Sequence, residues 1–243
     1  MHLTENDVHI WSVDIARVDP ALINVYRAIM SAEELERNQR YRFEKNRFSD
    51  CVTRALARDV LSKYVDRSPE SWCFSKGEHG KPELINSPVP LRFNLSHTSH
   101  HVVCVVTPVY DVGIDIEHTA RKNDVLAIAD RYFSEQEVAD LFELPIERQP
   151  DRFFDYWTLK EAYMKASGEG ISLGLGNFSF HFDKSKAARI SFGESIIDNP
   201  DNWFFQQFNP AEDHRMALAI CCGRHNKTKL TISQFPTVPL TAQ

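Results

Sequence analysis

The stretch DRFFDYWTLKEAYMKA, residues 151–166, repeats NRFSDCVTRALARDVL, residues 46–61, without a gap. Five of the 16 aligned pairs are identical, whereas unrelated sequences of average composition would share about one. Both stretches have the spacing of apolar residues that is typical of a helix, so we interpret them as two copies of one long helix. The identical pairs are Arg47/Arg152, Phe48/Phe153, Asp50/Asp155, Thr53/Thr158 and Ala57/Ala162.

A second pair of similar stretches follows the two helices. FNLSHTSHHVVCVV begins at Phe93 and FNPAEDHRMALAIC begins at Phe208, and each leads through a polar turn into an apolar strand. We therefore predict a duplicated α+β unit that divides near Pro108 to Val112, with an N-terminal half at 1–110 and a C-terminal half at 111–243. The other interpretation is that amphipathic helices resemble one another in general.

Hydrophobic periodicity predicts the remaining elements. We expect helices at residues 31–40, 45–64, 123–131, 134–142 and 150–167. We expect strands at residues 7–14, 100–107, 112–117, 177–182, 203–208, 215–222 and 229–233. A Gly-rich loop is predicted at 167–177, and the final residues, 236–243, are predicted to be frayed.

Composition predicts an ordinary globular protein of the cytoplasm. Hydrophobic residues make up 42% of the 243 residues, and the five cysteines form no C-x-x-C, which favours reduced thiols. The formal net charge of -6 argues against general nucleic-acid binding. The N-terminus lacks the pattern of a signal peptide, and no apolar stretch approaches the length of a membrane span.

Two carboxylates stand side by side in GIDIE, residues 113–117. Strict alternation places Ile114 and Ile116 on one face of the predicted strand and Asp115 and Glu117 on the other. The two carboxylates are then about 7 Å apart along the strand, where like charges repel. Acidic residues also protect strand edges from aggregation, so the pair alone is not specific.

The second helix copy adds a third carboxylate. Trp157, Glu161 and Lys165 share one stripe at i, i+4 and i+8, while the first copy is neutral at the positions aligned with Lys160 and Glu161. A Glu-Lys pair of this spacing is usually a surface salt bridge worth ~0.3–0.5 kcal/mol. Together with the strand pair, however, Glu161 completes a set of oxygen ligands of the kind that Mg²⁺ prefers, without cysteine or histidine at ligand spacing.

Cationic and hydroxyl residues of the types that bind phosphate lie in the first half. For Arg42 and Arg58 we favour a solvated surface position. The residues are Arg42, Lys45, Arg47, Arg54, Arg58, Lys81, Ser96 and His97.

VGIDIE, residues 112–117, and WTLKEAYMKA, residues 157–166, identify a resemblance at this order and separation. RFEKNRFSDCVTRALAR, EHGKPEL and FNLSHT support it, and the resemblance covers about residues 30–222. The chain resembles the 4′-phosphopantetheinyl transferases, in the larger monomeric type that acts on carrier proteins of peptide and polyketide synthases. The resemblance implies two similar halves, each a small antiparallel sheet on a long helix, with the active site in the cleft between them.

The resemblance also implies roles for the charged residues of the second half. Asp115, Glu117 and Glu161 would hold Mg²⁺, or Mn²⁺, together with the pyrophosphate of coenzyme A. Lys160 and Lys165 look like the lysine pair that flanks this site, and Glu161 and Lys165 would take part in catalysis.

In the first half, the resemblance implies contacts to the coenzyme A nucleotide. Lys81, Ser96 and His97 match positions that contact the nucleotide, and Arg47 and Arg54 would bind the region of the 3′-phosphate. The family often has further cations in the preceding helix, where this chain has SAEELERNQR, residues 31–40, with two acidic residues beside one arginine.

The implied reaction is attack by a serine hydroxyl of an apo carrier protein on the phosphorus that bears the pantetheine arm, with release of 3′,5′-ADP. Either Glu161 or a metal-bound water would accept the proton. The alternatives are another Mg²⁺-dependent phosphoryl transferase, a non-catalytic relative that binds carrier proteins, or an α+β protein whose acidic pairs are surface features. The carrier protein served stays open.

The resemblance implies that the carrier protein is acidic, as known partners of the family typically are, and this chain is acidic overall. Docking would therefore need a local patch, for which the sequence offers three cations and two aromatic residues. They are Arg121, Lys122, Arg131, Tyr132 and Phe133.

Overall fold

The computed structural model describes residues 1–77, 79–85, 87–120, 124–223 and 227–241. The chain forms two compact units, one comprising Met1–Val109 with Lys229–Gln243 and the other Tyr110–Thr228. The division falls inside the predicted boundary region. The assignment of the last residues to the second half was wrong, because their strand pairs with the first strand of the chain.

The first unit is a four-stranded sheet with helices and a separate hairpin. Its sheet has the order β11-β1-β5-β4, in which β11 runs parallel to β1 and the other neighbours are antiparallel. Strands β2 and β3 form the hairpin. The elements are β1 Asp7–Asp14, α1 Ile23–Ala28, α2 Ala32–Gln39, α3 Glu44–Ser62, β2 Phe74–Lys76, β3 Pro82–Leu84, β4 Arg92–His97, β5 His101–Thr107 and β11 Thr231–Pro236.

The second unit contains an antiparallel sheet of order β6-β10-β9 and the hairpin β7–β8. Its longest helix, α6, packs against β6 and β10. The elements are β6 Asp111–His118, α4 Val125–Tyr132, α5 Glu135–Glu143, α6 Gln149–Ser167, β7 Phe178–Phe182, β8 Ala188–Phe192, β9 Trp203–Phe208 and β10 His214–Cys221.

The two units repeat one order of elements, which confirms the predicted α+β fold class. Each begins with a strand, continues through short helices to a helix of 19 residues, and ends in two hairpins. The first strand joins the last hairpin in the order β1-β5-β4 in one unit and β6-β10-β9 in the other. The alignment that pairs Asn46 with Asp151 also pairs both ends of α3 with both ends of α6.

The Phe-Asn part of the second repeat is not structurally equivalent. Phe93 lies near the start of β4, opposite Val106, whereas Phe208 is the last residue of β9 and adjoins the turn. Strand β4 was not predicted, and neither were α1, β2, β3 and β8. These elements are short, and three to six residues carry too little periodicity to be recognised.

Each unit has its own hydrophobic core, and the end of the chain belongs to the first. Val238 and Leu240 pack against that core, and the Tyr26 hydroxyl donates to the Pro239 carbonyl at 3.2 Å. The prediction of a frayed end is therefore wrong for 236–241, while residues 242–243 lie outside the described residues. None of the helices in the described part of the chain is both long enough and apolar enough to cross a membrane.

Candidate active site

Strand β6 lies against helix α6 at a glycine. A Cβ built on Gly113 would lie 2.1 Å from the carbonyl oxygen of Ala162 and 2.5 Å from the backbone nitrogen of Ala166. Real Cβ atoms do not approach that closely, so only glycine fits here. Because side chains alternate along a strand, the next two on this face are Asp115 and Glu117.

Both strand carboxylates contact the predicted stripe of α6. Lys165 Nζ lies 2.6 Å from Asp115 Oδ1 and donates a second hydrogen bond to the Ile114 carbonyl at 3.2 Å. The indole of Trp157 donates to Glu117 Oε1 at 3.2 Å. The i, i+4, i+8 spacing that the sequence showed therefore does bring α6 onto the acidic face of β6.

Glu161 lies on the same stripe of α6, close enough to Asp115 and Lys165 for both charges to shift its pKa. Burial raises the pKa of Glu161, the negative charge of Asp115 raises it further, and Lys165 partly opposes the shift. Asp115 itself is 4% exposed. The site therefore holds like charges close together in a poorly solvated space, which is costly unless a cation is near.

The carboxylates fit a divalent cation by their chemistry. All three predicted ligands offer oxygen, and the conflict between Asp115 and Glu161 is one that a cation would relieve. Within the described ranges, however, no three or more His, Cys, Asp or Glu side chains stand close enough to hold a metal ion. In this structure the ammonium of Lys165 supplies the positive charge beside Asp115, and the magnesium site stays a prediction.

Lys160 does not lie in this site. Its ammonium pairs with Glu137 Oε2 at 2.7 Å, and both side chains are 0% exposed. It also donates to the carbonyls of Leu175 and Phe178, each at 2.7 Å. The prediction that Lys160 contacts coenzyme A is therefore wrong, because this lysine is enclosed by α5 and the residues at the start of β7. Burial also lowers the pKa of Lys160.

The first unit contains a cavity of about 690 Å³ that includes two predicted nucleotide contacts, Arg54 and His97. Its other cations are Arg37, Arg58 and Lys76, which the sequence did not single out as ligands. Apolar walls are supplied by Ile29, Met30, Trp72, Phe74, Pro82 and Leu95. The cavity thus combines flat apolar surfaces with positive charge, the combination that a nucleotide needs.

Glu34 holds the arginines of this cavity. Arg58 Nη2 lies 2.7 Å from Glu34 Oε2, and Arg54 Nη1 lies 3.8 Å from Glu34 Oε1. Arg58 is 3% exposed and stacks over the Phe74 ring at 4.9 Å, so its predicted surface position is wrong. Two signals were available: the four-residue spacing of the arginines and the capping box in which Ser31 and Glu34 bond reciprocally.

The remaining nucleotide-binding candidates lie at different places in the first unit. Lys81 sits between two residues of the cavity wall, Gly80 and Pro82. Ser96 is buried on the face of β4 opposite to that of Leu95 and His97. Arg47 Nη2 donates to the Arg42 carbonyl at 3.5 Å.

The predicted docking patch is only partly a surface. Phe133 is 6% exposed and packs on Phe153 in the core of the second unit, so it cannot contact a partner there. Tyr132 is 47% exposed and carries the Arg131 guanidinium over its ring at 5.2 Å. Arg121 and Lys122 lie outside the described residues.

Comparison with known proteins matches both parts of the chain to one family. The model of the 4′-phosphopantetheinyl transferase superfamily matches residues 111–221, and that of the N-terminal part of 4′-phosphopantetheinyl transferases matches residues 20–109. The chain is 34% identical to the 4′-phosphopantetheinyl transferase HetI of Nostoc over 70% of this chain and 72% of that protein. It is 31% identical to the 4′-phosphopantetheinyl transferase Sfp of Bacillus subtilis, over 82% and 84%.

Among solved structures, the chain is similar to a holo-(acyl-carrier-protein) synthase from Bacillus anthracis. The identity is 19% and the TM-score 0.39, over 46% of this chain and 96% of that one. The two family models together match nearly all of residues 20–221. HetI and Sfp are each identical to this chain at about a third of the aligned residues. This chain therefore belongs to the 4′-phosphopantetheinyl transferase superfamily and is a phosphopantetheinyl transferase.

Proposed function

We propose that this enzyme transfers 4′-phosphopantetheine from coenzyme A to a serine hydroxyl of an apo carrier protein and releases 3′,5′-ADP. The observation that carries the proposal is the contact of Asp115 with Lys165 beside the half-buried Glu161. This contact brings the anionic oxygens of Asp115 and Glu161 next to the ammonium of Lys165, between β6 and α6. Phosphoryl transfer depends mainly on such electrostatic groups, because its transition state spreads charge over oxygens.

Asp115, Glu117 and Glu161 would hold Mg²⁺, which neutralises charge on the pyrophosphate of coenzyme A when bound. Lys165, whose side chain is 27% exposed, would contact a phosphate oxygen while it keeps its contact with Asp115. We propose that Lys165 stabilises the negative charge that builds up on the phosphate of the leaving group during transfer. The indole of Trp157 orients Glu117 through its hydrogen bond.

Glu161 is our candidate for the general base. The serine oxygen forms the new bond to phosphorus, the bond from phosphorus to 3′,5′-ADP breaks, and the serine proton passes to a carboxylate oxygen of Glu161. A raised pKa makes this carboxylate a better proton acceptor than an exposed one. Burial, the first cause of the shift, therefore also serves the reaction.

The cavity of the first unit is our candidate for the nucleotide of coenzyme A. Arg54 and His97 would contact phosphate oxygens, and Phe74 or Trp72 offers a flat surface for the purine. Glu34 would keep the two arginines in place before the ligand arrives.

The test uses the purified chain with Mg²⁺, coenzyme A and an apo carrier protein from a peptide synthase. We expect the intact mass of the carrier to rise by one phosphopantetheine and 3′,5′-ADP to appear in equal amount. A carrier whose serine is changed to alanine should show neither. Binding of several carriers without a mass change, under conditions in which a known transferase loads them, would favour a non-catalytic carrier-binding protein. Transfer of a different phosphoryl group would favour the other enzyme class.

A further inference from the structure

A fully enclosed ion pair joins α6 to α5 in the second unit. Lys160 Nζ lies 2.7 Å from Glu137 Oε2, and its other two hydrogen bonds go to the carbonyls of Leu175 and Phe178. The ammonium has three donors, so each of them has an acceptor. We call Lys160 and Glu137 the buried pair.

Glu137 is bound as completely as its partner. Its Oε2 accepts from the backbone nitrogen of Ser134 at 3.1 Å and from the Ser134 hydroxyl at 2.8 Å. Its Oε1 accepts from the backbone nitrogen of Phe180 at 2.8 Å. The buried pair therefore ties the first turn of α5, the middle of α6 and strand β7 together by directional bonds.

Hydrophobic burial by itself specifies the rotation of α6 poorly. Buried side chains occur around most of the circumference of this helix, including Phe153, Phe154, Tyr156, Leu159, Tyr163 and Met164. The hydrophobic effect is non-directional, so a helix that is apolar nearly all round can bury similar area in several rotations. Directional contacts are needed to select one rotation.

The buried pair and the Gly113 contact hold α6 on opposite sides. At about 100° per residue, Lys160 lies about 160° around the helix from Ala162, which meets Gly113. Glu161 and Lys165 lie about 100° and 140° from Lys160. Because side-chain heads lie about 5–6 Å from the helix axis, a rotation of about 20° would displace the heads of Glu161 and Lys165 by about 2 Å.

The first unit shows that the fold does not require a charge at this position. Ala55 of α3 aligns with Lys160, is fully buried, and belongs to a helix of the same 19 residues. Buried ion pairs are often no more stabilising than apolar residues of similar volume. The contribution of the buried pair is therefore to orientation rather than to the formation of the helix.

We propose that Lys160 is a positioning residue: its pair with Glu137 sets the rotation of α6 and so orients Glu161 and Lys165 towards Asp115. This inference rests on the proposed function, in which those three side chains act together. The lysine beside the acidic residue of WTLKEAYMKA thus serves the site without touching the substrate.

The test compares the wild type with the double variant Lys160→Met/Glu137→Gln, which removes both charges together. We expect the double variant to fold, as judged by thermal unfolding, while kcat falls by about 100-fold, the effect of a displacement of about 1 Å in an active site. The KM for coenzyme A should change much less than kcat, because the proposed nucleotide contacts lie in the first unit. Affinity for Mn²⁺, measured by electron paramagnetic resonance, should weaken by about 10-fold if Glu161 has moved.

Met164→Leu is the matched control, because it is a buried, volume-conserving change in the same helix. It should keep wild-type kcat and Mn²⁺ affinity even if it lowers Tm. If the double variant does not fold, Lys160→Arg carries the test, since it keeps the charge but places a longer, planar head in an enclosed space. Wild-type kcat and Mn²⁺ affinity in a folded variant of the pair would overturn the inference. A wild type that binds Mn²⁺ but loads no carrier would instead contradict the proposed function.

Discussion

Gly113 of β6 meets Ala162 of α6 so closely that one added methyl group would overlap the helix backbone. The nearest atoms to that methyl group are the Ala162 carbonyl oxygen and the Ala166 nitrogen, and no rotamer change can move either of them. The spacing between the strand that carries Asp115 and the helix that carries Glu161 is therefore set by a glycine. Four residues later on the same strand, the face ends at Glu117.

Gly113→Ala is expected to lower the free energy of unfolding by about 1–3 kcal/mol, the usual cost of overpacking, because α6 must move away from β6. Carrier loading should fall with it. Urea unfolding measures the first effect and intact mass the second. Gly176→Ala is the control, since a Cβ there would have its nearest contact at an ordinary 3.6 Å. Equal stability of the two variants would show that the helix tolerates the extra atom.

Glu161→Gln is expected to separate stability from activity. The burial and the charge of Asp115 that raise the pKa of Glu161 also make its ionised form costly, so the variant should unfold at the same or a higher temperature at pH 7. Its loading rate should fall by orders of magnitude, because it can neither bind a cation by charge nor accept a proton. Mg²⁺ should raise the Tm of the wild type and not that of the variant.

The exposed Glu143 supplies the control for this experiment. Glu143→Gln removes the same charge from an exposed position at the end of α5 and should change neither the loading rate nor the response of Tm to Mg²⁺. An equal rise in Tm with Mg²⁺ for the wild type and Glu161→Gln would argue against Glu161 as a metal ligand.

Arg54→Ala is expected to weaken the binding of adenosine 3′,5′-bisphosphate, measured by calorimetry, by about 10- to 100-fold, because a charge-assisted hydrogen bond is worth about 1.5–3 kcal/mol. The variant should lose less affinity for adenosine 5′-phosphate if the guanidinium of Arg54 binds the 3′-phosphate. Arg40→Ala is the matched control, since Arg40 is exposed at the C-terminal end of α2 and pairs with Glu36 at the surface. The same loss for both nucleotides would assign Arg54 to another part of the ligand.

His9 predicts a dependence of stability on pH. The Tyr64 hydroxyl accepts from the Trp11 indole at 2.8 Å and lies 2.7 Å from His9 Nδ1, so it can donate its own proton to His9 when that nitrogen is unprotonated. Burial lowers the pKa of His9 below its ordinary value of 6.5, and the charge of Asp7 opposes this only in part. The unfolded chain therefore takes up a proton near pH 6.5, while the folded protein does so only at lower pH.

Stability contributed by neutral His9 should thus be complete above pH 6.5 and lost as the pH falls below it. We expect the free energy of unfolding to decrease between pH 7 and pH 5. His9→Gln keeps an acceptor for Tyr64 but cannot be protonated, so its profile should be flatter over this range. His2→Gln, at the exposed N-terminus, should leave the slope unchanged. A wild-type slope in His9→Gln would exclude His9 as the cause.

The sequence by itself determined the elements that depend on local order. Periodicity located α3 and α6 to within two residues, and their alignment showed that the fold is duplicated. Alternation in GIDIE predicted correctly which two carboxylates share a face, because side chains of a strand must alternate. Short strands such as β2 and β8 were not predicted from the sequence, since they depend on their hairpin partners rather than on their own pattern.

Only the tertiary structure decided which charged side chains meet. Lys160 and Lys165 belong to one motif, yet Lys165 contacts Asp115 whereas Lys160 is enclosed with Glu137. In the first unit, Arg58 was expected at the surface but lines the cavity, because Glu34 binds it there. The physical reason is the same in both cases: a sequence pattern defines the face of a helix, but the partner on that face comes from a distant element. Whether a charge is solvated, paired or buried is a property of that partner.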